Sequence, residues 1–179
     1  SEEVAQMRAS ALGWEFTAPA VVIVTDIDGF GAVVESKQNE NYAMNVKSKM
    51  LAVMQRTIAS YSRSSMVVSR SDSCIAIVGP LSSRHHNKEI KGLLVKLQET
   101  LRKGLEDITV SIAVSDPCQS LLDIGLGYQQ ACELMKISRK IFGPGQLATK
   151  EQLEIYRLFY RCGPKEELFA FCEEMVGSL

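Results

Sequence analysis

Two aspartates, Asp26 and Asp28, flank Ile27 at the end of an apolar segment, and their side chains are the best suited to chemistry in this chain. Two carboxylates and the Ile27 carbonyl are hard oxygen ligands that could hold one Mg²⁺. Because they are spaced by two at a strand end, we expect the carboxylates to diverge rather than converge. The alternative is a turn in which Asp bonds nearby backbone N–H groups, and we favour that interpretation.

Basic and histidine side chains offer weaker candidates. Lys136 and Arg139 lie on a predicted helix, where they could contact phosphate or form a solvated helix face with Glu133. We favour the solvated face. His85-His86 is an isolated pair, and adjacent side chains rarely converge on one ion, so we predict an exposed loop.

The cysteines show no C-x-x-C pair and are odd in number, which argues against a zinc site and a disulfide framework. We predict reduced, mostly buried thiols in a cytoplasmic protein. Cys74 has no sequence neighbour that would lower its pKa, so we expect a buried thiol and no nucleophile. The five are Cys74, Cys118, Cys132, Cys162 and Cys172.

Composition limits the classes of function. The 179 residues carry 20 Lys and Arg against 21 Asp and Glu, a net charge of −1, so DNA binding by this stretch is not expected. The longest apolar run, 18–24, is too short to span a bilayer, and no signal peptide precedes it. Because the chain starts at Ser1 without Met, we expect a piece of a longer cytoplasmic protein.

Hydrophobic periodicity predicts the elements that position these residues. The run from Ala20 to Val24 predicts a strand buried on both faces, and residues 108–114 alternate like a strand. Two short strands separated only by residues 70–73 favour an antiparallel hairpin. Helical spacing predicts helices over 2–12, 41–61, 88–103, 120–142, 150–161 and 164–175, and a last short strand is expected near Leu147. This order predicts an α/β (α+β) fold with a mixed or antiparallel sheet covered by helices.

Three of these segments resemble, in order, the GGDEF nucleotide-cyclase fold, which implies a ferredoxin-like mixed antiparallel sheet. The Asp26-Ile27-Asp28-Gly29-Phe30 segment resembles the metal-binding D-I-D-x-F turn of that family. The hairpin over 69–78 resembles R-x-G-G-D-E-F, and the strand over 108–115 resembles v-T-v-S-I-G-v-a.

The resemblance implies an altered hairpin. It places Ser71, Asp72, Ser73, Cys74 and Ile75 on G-G-D-E-F, so the paired glycines and the acidic pair are replaced. A slip of one residue would put Asp72 on the family's Asp position, with Ser73 on the Glu. Either register lacks a metal ligand, so we expect no catalytic residue and no enzymatic activity.

A second position of the family motif, the one that reads guanine, also differs in this chain. The position of the family's guanine-reading Asn falls near Val34, which cannot read a base. We therefore expect no cofactor, with a relict Mg²⁺ or nucleotide-phosphate site at Asp26, Asp28 and Lys136 as the alternative.

Further motifs resemble the GGDEF-like middle domain of PucR/CdaR-type regulators of sugar-diacid and purine catabolism. They are Leu12-Gly13-Trp14-Glu15, Gly127-Tyr128-Gln129-Gln130-Ala131 and Leu153-Glu154-Ile155-Tyr156-Arg157-Leu158-Phe159. The resemblance implies a linker helix over 1–18, a GGDEF-like domain over 19–149, and a helical extension over 150–179 leading to a helix-turn-helix outside this sequence.

The function that this resemblance implies is a signalling and dimerisation domain of a bacterial transcription regulator. Its partners would be a second copy of the chain and other domains of the same regulator, with DNA bound only through the helix-turn-helix and no membrane contact. Two alternatives remain: a domain that binds a nucleotide with Mg²⁺ as an effector, and an active nucleotide cyclase.

Overall fold

The sheet has five strands in the order β2-β3-β1-β4-β5. The computed structural model describes residues 2–11, 13–32, 40–81, 86–105, 108–153 and 156. Every neighbouring pair is antiparallel except β4 and β5, which are parallel. The strands are β1 Val21–Ile27, β2 Met66–Arg70, β3 Ser73–Val78, β4 Val110–Val114 and β5 Leu147–Ala148. The predicted mixed sheet is confirmed.

Four helices lie wholly within the described residues, each close to its predicted range. They are α1 Glu2–Ala11, α2 Glu40–Ala59, α3 His86–Gly104 and α4 Ile124–Phe142. The helix predicted from Ser120 begins instead with a 3₁₀ turn, Leu121–Asp123. The Asp123 carboxylate accepts hydrogen bonds from the backbone N–H groups of Gln119 and Ser120 there. None of the helices in the described part of the chain is long and apolar enough to cross a membrane.

Alternation along the central strand sorts its side chains onto two cores. Val21, Ile23 and Ile27 pack with α2 and α3 on one face. Val22 and Val24 pack with α4 on the other. Because side chains alternate along a strand, Asp26 shares the α4 face with Val22 and Val24.

Strand β1 is longer than predicted, and this decides where the aspartates lie. We expected the strand to end at Val24 and a turn to follow, yet Thr25 and Asp26 pair with both neighbouring strands and Ile27 pairs with β4. Asp26 is therefore a strand residue, and the predicted strand-end turn is wrong for it. Asp28 follows directly and donates its backbone N–H to the Thr109 carbonyl at 3.0 Å.

The hairpin between β2 and β3 is antiparallel, as predicted, and its register pairs Arg70 with Ser73. A two-residue turn, Ser71-Asp72, connects the strands, which leaves Ser71 with a φ of 54°. That left-handed backbone favours glycine, so serine bears some strain there.

Helix α4 lies unusually close to the sheet at Gly127. A Cβ added at Gly127 would meet the Cys118 Sγ at 2.8 Å and a Val22 methyl at 3.1 Å. Only glycine permits this approach, which brings the far end of α4 over the end of β1.

Most of the predicted C-terminal helices lie outside the described residues. Within the described part, residues 150–153 and 156 are helical. Leu153 is buried against the α4 core.

Candidate functional site

The two aspartates converge on one guanidinium, that of Arg139 in α4. Arg139 Nη1 lies 2.5 Å from Asp26 Oδ2, and Arg139 Nε lies 2.6 Å from Asp28 Oδ1. Arg139 Nη2 also donates to the Asp26 backbone carbonyl at 3.2 Å. A planar fork of donors suits such a double contact, which a lysine could not reproduce.

Asp28 accepts two further hydrogen bonds, from other elements of the fold. The Ser111 hydroxyl of β4 donates to Asp28 Oδ1 at 2.7 Å, and the Gly145 backbone N–H donates to Asp28 Oδ2 at 2.8 Å. The β1 end, β4, α4 and the segment before β5 therefore meet at one carboxylate.

The two carboxylates that contact Arg139 are largely removed from water, and this changes the pKa of Asp26. The side chains of Asp26 and Asp28 are 17% and 6% exposed. Burial raises the pKa of Asp26, and the hydrogen bond and charge of Arg139 oppose that rise. Asp72 in the hairpin turn raises it further, because like charges disfavour ionisation.

Of the two basic residues singled out on α4, the structure brings Arg139 to the aspartates and leaves Lys136 exposed. The solvated-face interpretation is therefore wrong for Arg139. The sequence signal that could have found it is helical spacing, because Arg139 lies about three turns beyond buried Gly127 and about two turns beyond buried Ala131. The position of Arg139 over β1 depends on the angle at which α4 crosses the sheet, and a single sequence does not reveal that angle.

The altered hairpin lies beside this site, yet its side chains at the acidic positions do not join it. Ser73 pairs with Asp26 across the strands, but its hydroxyl donates back to the Arg70 carbonyl at 2.8 Å. Cys74 packs on the opposite face with α2 and α3. Asp72 contributes its backbone carbonyl, which lies 3.4 Å from the Ile27 nitrogen.

The described cysteines are free thiols. Cys74 is fully buried, and burial raises its pKa to about 11. Such a thiol stays protonated at neutral pH and is not a nucleophile, as expected. Cys118 is also buried, and Cys132 is partly exposed. Cys162, Cys172, Val34 and His85 lie outside the described residues.

A divalent cation, which the fold family implies, does not fit the site in this conformation. The guanidinium occupies the side of both carboxylates that a cation would need, and Ser111 and Gly145 take further lone pairs of Asp28. Among the described residues, no group of three His, Cys, Asp or Glu side chains could hold a metal ion.

Sequence comparison now identifies the family. Residues 1–137 match the GGDEF-like domain family. The chain belongs to this family. A search of curated protein sequences finds no match to it.

Solved structures share the fold of this GGDEF-like domain. The diguanylate cyclase SiaD from Pseudomonas aeruginosa, solved with its activator SiaC, has a TM-score of 0.57 at 13% identity. That match covers 83% of this chain and 55% of SiaD, so the chain spans about half of that protein. An EAL/GGDEF domain protein from M. capsulatus has a TM-score of 0.52 at 13% identity, covering 80% of this chain and 92% of that one.

A third likeness extends the fold to guanylyl cyclases. The guanylyl cyclase domain of the RhoGC fusion protein from the aquatic fungus Blastocladiella emersonii has a TM-score of 0.51 at 15% identity. The match covers 74% of this chain and 80% of that domain. The predicted nucleotide-cyclase fold is confirmed.

These comparisons correct one prediction about the GGDEF-like domain. We predicted from its altered hairpin that it is not an enzyme, and that prediction is contradicted, because the structures sharing its fold include diguanylate and guanylyl cyclase domains. The prediction weighed side chains at the altered hairpin and near Val34, whereas the comparison matches the fold as a whole.

Proposed function

We propose that this chain is a signalling and dimerisation domain of a bacterial transcription regulator of the PucR/CdaR type. In this proposal it spans residues 19–149 between a linker helix and a C-terminal extension, and works in the cytoplasm. It relays effector binding elsewhere in the regulator to a helix-turn-helix that contacts DNA. Family membership and the motifs at 12–15 and 127–131 support this context.

The observation that carries the proposal is the ion pair between the sheet and α4. Arg139 ties the end of β1 to the end of α4, and α4 leads through β5 into the C-terminal extension. A two-state signal needs an element with two discrete arrangements, and a buried ion pair at a helix end can supply one. Moving α4 would require these contacts to break together.

DNA affinity of the longer regulator tests this role. Arg139→Gln should change that affinity roughly fivefold or more, since allosteric coupling is commonly worth about 1–3 kcal/mol. Lys136→Gln, which removes one positive charge one turn away on the exposed part of α4, is the matched control and should leave the affinity unchanged. An Arg139→Gln regulator that is folded and binds DNA like the parent would contradict the relay.

A second candidate function is binding of GTP with Mg²⁺ at Asp26 and Asp28, with or without turnover. The observation that favours it is that the two carboxylates converge on the α4 face of the cyclase fold. Titration calorimetry with GTP and Mg²⁺ tests binding, and chromatography of the same samples tests turnover. Heat that disappears in Asp26→Ala would support binding at the pair, and product formation would establish cyclase activity. If neither heat nor product is detected, this candidate is excluded.

A further inference from the structure

The guanidinium of Arg139 stands where two acidic side chains would otherwise face each other without a counter-ion. Asp26 and Asp28 together carry two negative charges when ionised, and Asp28 is 6% exposed. Two carboxylates so close together repel each other unless a cation lies between them. Arg139 supplies that cation from within the chain.

The contacts of the Arg139 guanidinium resemble the coordination of a cation by Asp26 and Asp28. One guanidinium contacts a carboxylate oxygen of each aspartate, at 2.5 and 2.6 Å, and the Asp26 carbonyl at 3.2 Å. A divalent cation would use the same class of atoms, carboxylate and backbone carbonyl oxygens. A cation that used these contacted oxygens would have to displace the guanidinium, because Asp28 also accepts from Ser111 and Gly145.

We propose that Arg139 is a built-in counter-ion of Asp26 and Asp28 that takes the place of a divalent cation, so that the pair excludes such a cation while Arg139 contacts it. The inference deepens the second candidate function, and rests on it only in taking a divalent cation as the competing ligand. Occupancy of the pair by a cation and attachment of the α4 end to β1 are then mutually exclusive.

Direct binding of Mn²⁺ to the folded domain tests the exclusion without any nucleotide. The loss of the electron paramagnetic resonance signal of free aqueous Mn²⁺ measures the bound fraction. We expect Arg139→Gln to bind Mn²⁺ at least about tenfold more tightly than the parent, a difference of about 1.4 kcal/mol. Lys136→Gln removes the same charge from an exposed position on the same helix and should bind Mn²⁺ like the parent.

Two results would overturn the inference. Parent protein that binds Mn²⁺ as tightly as Arg139→Gln would show that the guanidinium does not exclude the cation. A folded Arg139→Gln, verified by near-ultraviolet circular dichroism, that gains no affinity would show that Arg139 only holds the fold together.

A second variant keeps the test decisive if Arg139→Gln does not fold. Arg139→Lys retains the charge but loses the fork, so it can satisfy only part of the contact. It should bind Mn²⁺ more tightly than the parent, and unchanged affinity would overturn the inference. Because no nucleotide or DNA is present, a negative result here leaves the relay proposal standing, and failure of the relay leaves this result standing.

Discussion

At the scale of single residues, Asp26 shows how burial and an ion pair have opposite effects on the pKa of one carboxyl. Burial is the largest influence and raises its pKa above the ordinary value of 3.8, while Arg139 lowers it. A carboxyl with a raised pKa binds its proton more tightly in the folded chain than in the unfolded one. The stability it contributes is therefore fully present below pH 3.8 and lost as the pH rises through the folded-state pKa.

Removing the guanidinium should raise the pKa of Asp26 further. Arg139→Gln deletes both influences that lower it, the hydrogen bond and the positive charge, and leaves burial unopposed. Carbon-detected NMR titration of the Asp26 carboxyl measures the change. Lys136→Gln should leave the titration as it is, and a lower pKa in Arg139→Gln would contradict the assigned contact.

Cys74 should be protected from alkylation in the folded protein. Its pKa of about 11 leaves little thiolate at pH 8, and the residue is fully buried. We expect iodoacetamide to modify it roughly a hundredfold more slowly than in the denatured chain, because only the thiolate reacts. Mass spectrometry of peptides, with partly exposed Cys132 as the internal comparison, measures both rates. Equal rates for folded and denatured protein would place Cys74 outside the core.

At the scale of elements, the motif over 127–131 is explained by packing of α4. Gly127 lets α4 approach Val22, and the Tyr128 ring lies 5.4 Å from the Arg70 guanidinium of the hairpin. Gln130 accepts a hydrogen bond from the Asp116 backbone N–H at 2.8 Å. Ala131 is fully buried. These residues hold α4 against the sheet and the hairpin, so the role of the motif is to position α4.

Two glycines at the start of α4 should respond oppositely to alanine. In Gly127→Ala the new Cβ would meet Cys118 Sγ at 2.8 Å, so we expect a loss of about 1–3 kcal/mol of unfolding free energy. In Gly125→Ala nothing lies within 4 Å of the added Cβ, and helix propensity favours alanine by up to about 1 kcal/mol. Urea denaturation compares the two. Equal effects would mean that α4 does not pack closely at Gly127.

The elements were predictable from sequence because their causes are local. Apolar alternation located β3 and β4 to within about two residues, and helical spacing did the same for α2 and α3. The extension of β1 through Asp26 was missed, because a carboxylate within a strand is uncommon and only pairing with two neighbours holds it there.

At the scale of the whole molecule, the mixed sheet and the cyclase fold could be expected from the order of elements and motifs, whereas the strand order and the site could not. Asp26 and Asp28 were identified by type and spacing. Their partner Arg139 is 113 and 111 positions away along the chain and comes from α4, the helix that follows β4. Contacts of that range depend on how a helix crosses the sheet, which has no local signature.

The central claim is that Asp28 and Arg139 stabilise each other across the sheet and α4. A double-mutant cycle with Asp28→Asn, Arg139→Gln and the double variant measures this most directly, from unfolding free energies in urea. Residues in contact usually show an interaction energy of about 0.5–3 kcal/mol, and we expect a value near 2 kcal/mol for this largely buried, charged pair. An interaction energy near zero, with both single variants folded, would contradict the account.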